Sequence, residues 1–148
     1  MKAKFSLFRL LGILLLPAFL FTACQKEVIV DQTTKITGIA KLRAGTQGDI
    51  SNAQVAVYMS QDDWDNYNPV MIADVSGTTA KITYTFNDVV SGNYYLDVWV
   101  DNDRDGSWSI DDIVGWYGSG ALGSPLLSPF MVPEGKTKKM PDITCEVL

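Results

Sequence analysis

From residue 35 onward, apolar residues fall mainly on alternate positions, the period of a half-buried strand. "KITGIAKLR" sets Ile36, Gly38, Ala40 and Leu42 on one face. "AQVAVYMS" predicts Ala53, Val55, Val57 and Met59 inward and Tyr58 outward. "VMIADV" reads as a short apolar strand turned by "SGTT". "AKITYTF" points Ile82, Tyr84 and Phe86 inward, and "YYLDVWV" opposes Tyr94, Leu96, Val98 and Val100 to Tyr95, Asp97 and Trp99. "FMV" and "KMPDITCEVL" complete the set, the second with Ile143, Cys145 and Val147 on one face. Between them lie polar connections rich in Gly, Asp, Ser and Asn: "AGTQGDISN", "QDDWDNYNP", "NDVVSGN" and the long "IVGWYGSGALGSPLLSP", read as an irregular excursion. No window carries a convincing helical period. About seven short strands separated by turns predict an all-β, seven-strand antiparallel β-sandwich.

The strand pattern resembles a family. "ITGIAKL", "NAQVAVY", "KITYTFNDVVSGNYYLDVWVD" and "PEGKTKKMPDITC" are similar to the transthyretin-like, or carboxypeptidase-regulatory-like, sandwich over roughly residues 35–148. Phe86, Val89, Gly92, Tyr94 and Leu96 carry it best, with the turn at Gly135, Lys136 and Thr137. The resemblance implies a seven-strand fold and says little about activity.

The chain opens differently. Lys2, Lys4 and Arg9 precede an apolar run from Leu10 to Phe21, then small residues and Cys24. That order is a secretory signal, and the run is shorter than the roughly 20 residues a spanning helix needs. Phe21-Thr22-Ala23-Cys24 resembles a bacterial lipobox, with Phe21 where leucine is commoner. The resemblance implies removal of residues 1–23, acylation (palmitate among the chains) of Cys24, and a lipidated tether over residues 24–34 before a domain at 35–148. Several acyl chains, at about 0.8 kcal/mol per buried CH₂, anchor durably. Gln25, where an aspartate would imply inner-membrane retention, points by the same resemblance to an outer membrane, on either its periplasmic or its outer surface.

Loss of the leader's three positive charges takes the formal net charge from −5 to −8. So acidic a surface argues against nucleic acid as a partner. The chain has no histidine, which excludes His-ligated zinc, Ser-His-Asp chemistry and histidine acid–base catalysis. No nucleophile–base pair or phosphate-binding loop appears. Glu27, Glu134 and Glu146 fall in the tether, a turn and the last strand, so an enzyme is not expected. With Cys24 lipidated, Cys145 lacks a partner in the chain and reads as a small buried hydrophobe.

The sharpest chemical signal is "DNDRDGSWSIDD", Asp101 to Asp112. Asp101, Asp103 and Asp105 alternate, Gly106 follows, and an acid closes the twelfth place, as in D-x-[DN]-x-[DN]-G calcium loops. Calcium takes six to eight oxygens at about 2.3–2.6 Å, and alternate residues of a curled loop aim carboxylates at one centre. The expected ligands are Asp101, Asp103, Asp105, Ser107 through its carbonyl, Ser109 directly or through water, and Asp112. Glu is usual at the closing place, so either Asp112 or Asp111 completes the shell. Five aspartates offset only by Arg104 repel one another unless neutralised or hydrated. A strand enters the loop, so no helix–loop–helix sensor is implied. Trp116 and Tyr117 after it, and Trp64 and Tyr67 in the other acidic loop, are candidates for contact with a ligand or partner; burial against the sandwich is the alternative for each.

Three functions compete. One is a non-enzymatic, calcium-stabilised lipoprotein; small sandwich lipoproteins of this kind resemble accessory subunits of an outer-membrane transporter for nutrient uptake or of another envelope complex. The second is a carbohydrate- or peptide-binding module using the exposed aromatics. The third, a two-carboxylate glycosidase, has the least support, because a metal claims most of the aspartate cluster at Asp101 to Asp112.

Overall fold

The computed structural model describes residues 33–148; the expected leader, Cys24 and the expected tether up to residue 32 lie outside the described residues. The described residues are all-β, with one five-residue helix among them. Thr34, expected in the tether, already belongs to the domain: it is buried, its carbonyl accepts from Val89 N, and its Oγ1 accepts from Gly135 N at 2.7 Å.

The first strand, β1 (Lys35–Leu42), runs antiparallel to β5 (Lys81–Phe86), matching Ile36 to Phe86 and Ala40 to Ile82. Gly38 faces Tyr84 across this pair, and a Cβ at position 38 would collide with the Tyr84 ring. β2 (Gln54–Tyr58) pairs with β6 (Gly92–Val100), which pairs in turn with β7 (Ile113–Trp116). The inward residues predicted for β1, β5 and β6 are the ones found inside. Ile36, Ala40, Val55, Val57, Ile82, Tyr84, Phe86, Leu96, Val98, Phe130, Ile143 and Cys145 form one core between two layers.

Two strand segments change layer and close the sandwich. β12 (Ile143–Val147) runs parallel to β1 through residues 143–145, then antiparallel to β7 through Glu146 and Val147. At the far side, β3 (Met71–Ile72) pairs with β2 and β4 (Asp74–Gly77) pairs with β5, with only Ala73 between them. The predicted strand "VMIADV" is therefore a corner shared by both layers. The two edges that would otherwise offer unpaired backbone are joined through the chain itself. β10 (Phe130–Val132) extends the pairing of β6, and β11 (Thr137–Lys139) that of β1.

Three sequence expectations need correction. Met59 is 63% exposed, because β2 ends at Tyr58 and the chain turns away into a helix cap. Tyr58 points away from the core as expected, yet is 1% exposed, because other chain segments cover that face. The stretch read as an irregular excursion contains β7 and a hairpin of β8 (Gly118–Ala121) on β9 (Ser124–Leu127). Its glycines and serines hid the strands, since backbone pairing with β6 and β12, not side-chain alternation, makes β7 a strand.

Candidate functional site

The outer face of β2, β6 and β7 is buried like a second, smaller core. Ala56, Tyr58, Asp97 and Val114 are each at most 1% exposed, and all point away from the main core. Two segments cover them: "SQDDWDNYN" and the acidic loop after β6.

The first segment was expected to be a loop, and it contains helix α1 (Gln61–Asp65). Ser60 caps it: its backbone is extended, and its Oγ accepts from Asp63 N at 3.0 Å while donating to Asp63 Oδ2 at 2.6 Å. This is a capping box with aspartate at the third position, and Asp62 and Asp63 face the positive end of the helix. The S-x-x-D spacing was a sequence signal for it. The helix carries Trp64 over β6, where Trp64 Nε1 donates to Asp97 Oδ2 at 2.9 Å. Tyr58 Oη lies 3.3 Å from each Asp97 oxygen. No cation pairs with Asp97 among the described residues. Burial dominates, and pushes its carboxyl up to about 7 against the opposing pull of the Trp64 and Tyr58 hydrogen bonds. Asp97 escaped attention in the sequence because an alternating strand puts it on a face expected to be wet.

The acidic loop closes on itself through carboxylate–amide bonds. Asp101 Oδ1 and Oδ2 accept from Asp105 N at 3.2 Å and Gly106 N at 3.0 Å. Asp103 Oδ1 accepts from Asp105 N at 3.1 Å, and Asp105 Oδ1 from Ser107 N at 2.7 Å. Gly106, at φ 78°, makes the turn anticipated from its place in the motif. One oxygen from each of Asp101, Asp103 and Asp105 lies within 4.8 Å of the others. That is about the span of two ligand oxygens on a cation with 2.3–2.6 Å bonds. The three carboxylates can hold a metal ion. Ser109 reaches them, its Oγ donating to Asp103 Oδ2 at 3.1 Å. Arg104 forms no ion pair with them among the described residues.

Asp112 is not one of the three converging carboxylates. It is fully buried, and three N–H donors take its oxygens: Asn102 N at 2.9 Å on Oδ1, and Trp99 Nε1 and Ser109 N, each at 3.0 Å, on Oδ2. It clasps the two ends of the loop to β6. Asp111 is exposed, and its carbonyl accepts from Asn102 Nδ2 at 2.6 Å. Ser107 is exposed beside Asp105.

The loop then lays Trp108 against the segment carrying α1. Trp108 N donates to Tyr67 Oη at 3.0 Å, and the Trp64 and Trp108 rings meet edge to face at 5.2 Å. Tyr67 sits 5.6 Å from Trp99, and Trp108 sits 6.3 Å from Trp116. The candidate contact residues therefore divide. Trp64, Tyr67 and Trp116 join one aromatic layer with Trp99 and Trp108, whereas Tyr117 turns to the main core and packs edge-on to Phe130 at 5.6 Å. Beyond Trp116, between the β8–β9 hairpin and β12, runs a groove of about 500 Å³ lined also by Arg43, Val114, Thr144 and Glu146. Arg43 and Glu146 form an ion pair there.

No family model matches the chain, and neither the curated proteins nor the solved structures provide a match.

Proposed function

We propose that this chain is a non-enzymatic, calcium-stabilised binding module, held on an outer membrane by lipid on Cys24. There it serves as an accessory subunit of a nutrient-uptake or other envelope assembly. The observation that carries the reading is the coupling of two features in one loop. Asp101, Asp103 and Asp105 converge, and the same loop lays Trp108 against Trp64 and Tyr67. Three carboxylates with a serine oxygen in reach are a hard, all-oxygen donor set, which suits calcium better than magnesium, an ion that keeps its waters. A calcium ion there would neutralise the clustered charge. The chain's own residues do the rest: Asp112 ties the loop ends to β6, and the aromatics fix the loop on the sheet.

The lipobox-like "FTAC" supports anchorage, and the resemblance to transthyretin-like sandwiches enters only as a fold-level analogy. Calorimetric titration with calcium, and melting with and without chelator, test the metal. Stability should rise by about 2.7 kcal/mol at 100 times Kd. Co-purification from detergent-extracted envelope tests the partner; a chain recovered alone, with calcium present, speaks against an accessory subunit.

A second reading, a carbohydrate- or peptide-binding module, is favoured by the groove beside Trp116. It has the size of a ligand site, one indole, and a few polar groups in Arg43, Thr144 and Glu146. A glycan array without hits, together with no effect of Trp116→Ala on peptide capture, removes it.

A further inference from the structure

Where α1 meets the acidic loop, Trp64, Asp65, Tyr67 and Trp108 line a cavity of about 120 Å³ that is open to solvent on one side. Trp64 and Trp108 stand at 82° to each other, giving two walls at nearly a right angle. Each wall is held from behind. Trp64 Nε1 is bonded to Asp97, Tyr67 Oη accepts from Trp108 N, and Trp108 leans on Trp116. Tyr67 adopts φ 51°, a left-handed conformation that bulky residues rarely take, so the local fold holds its ring at this place against a backbone cost. Asp65 is exposed, and among the described residues its side chain hydrogen-bonds only with Gln61 Nε2, which donates to Oδ1 at 3.3 Å.

Aromatic rings present negative faces, and Asp65 adds a full negative charge at the same cavity. The cavity is far below the roughly 300–1,000 Å³ of sites for drug-sized ligands, so it suits a compact group, not a whole large molecule. It is mostly aromatic, and its polar charge is a carboxylate. A primary ammonium would have to give up strong hydration to enter, whereas a quaternary ammonium has no N–H, donates no N–H hydrogen bonds and sheds water at less cost.

We propose that Trp64, Tyr67, Trp108 and Asp65 form an aromatic cage for a quaternary ammonium group, carried either by a choline lipid headgroup or by a small free solute. The proposal rests on the aromatic walls and Asp65, not on the Asp101, Asp103 and Asp105 carboxylates, and measuring it both with calcium and with chelator separates its outcome from that of the calcium reading.

The test is titration of the full chain with choline and with tetramethylammonium, followed by tryptophan fluorescence, once with calcium and once with chelator. A saturable response is expected, with the uncharged isostere 3,3-dimethyl-1-butanol binding about tenfold more weakly. Trp108→Ala should abolish the response. Asp65→Asn, which removes the charge and keeps an oxygen that accepts from Gln61 Nε2, should leave the melting temperature unchanged and weaken both cations several-fold. It serves as the test if Trp108→Ala does not fold. Sedimentation with phosphatidylcholine vesicles that choline competes, and none with phosphatidylglycerol vesicles, identifies a lipid headgroup; binding of free choline without vesicle binding identifies a solute. Equal binding of the uncharged isostere, no saturable response in either buffer, or unchanged affinity in Asp65→Asn would overturn the cage.

Discussion

At the scale of single residues, Asp97 and Cys145 show burial acting on chemistry. Asp97 has a carboxyl at about 7 in the folded chain, against 3.8 for an ordinary aspartate. Between those values the folded chain keeps a proton that the unfolded chain has lost. Stability therefore falls as pH rises through that window and levels off above about 7. At 1.36 kcal/mol per pH unit, the loss is of order 4 kcal/mol. Asp97→Asn keeps an acceptor for Trp64 Nε1 and carries no charge. Urea unfolding from pH 4 to 8 should show a flatter profile than the parent and greater stability at neutral pH. Cys145 is fully buried, and burial pushes its thiol up to about 12. The native chain should resist iodoacetamide at pH 8, with modification appearing, by mass spectrometry, only on unfolding. Cys145 was legible in the sequence because alternation placed it beside Ile143 on the inner face. Asp97 was not: alternation gave its direction correctly, but nothing local announces that a distant helix will cover it.

At the scale of elements, α1 and the acidic loop each depend on a polar side chain closing a short piece of backbone. Ser60→Ala removes the cap and should cost about 1 kcal/mol in denaturant unfolding. It should also change tryptophan fluorescence, because α1 carries Trp64. Asp101 and Asp112, both expected as ligands, predict opposite behaviour. Asp101→Asn should weaken calcium binding about tenfold or more and shrink the calcium-dependent rise in melting temperature. Asp112→Asn should cost about 1.5–3 kcal/mol with or without calcium, because it weakens charged hydrogen bonds to Trp99, Asn102 and Ser109. The motif spacing made the triad legible. The different place of Asp112 depends on Trp99, whose indole reaches it from the outer face of β6.

At the scale of the whole molecule, stability rests on one core shared by both layers and on the strands that change layer. Leu96, fully buried in the middle of β6, is at its centre, and Leu96→Ala should cost about 2–5 kcal/mol. Because β12 bonds to both β1 and β7, and β3–β4 joins β2 to β5, the layers should unfold together. A single transition seen alike by fluorescence and circular dichroism checks this.

The sequence by itself determined the all-β class, the inward faces of β1, β5, β6 and β12, and the Asp-x-Asp-x-Asp-Gly turn. These follow from period-two burial and from residues acting on their immediate neighbours. Only the tertiary structure decided the closed edges, the strand β7, the burial of Asp97 and the joining of Trp64, Tyr67 and Trp108 around one cavity. Each of those depends on segments tens of residues apart meeting across a sheet, and pairing over that range leaves no periodic mark on the chain.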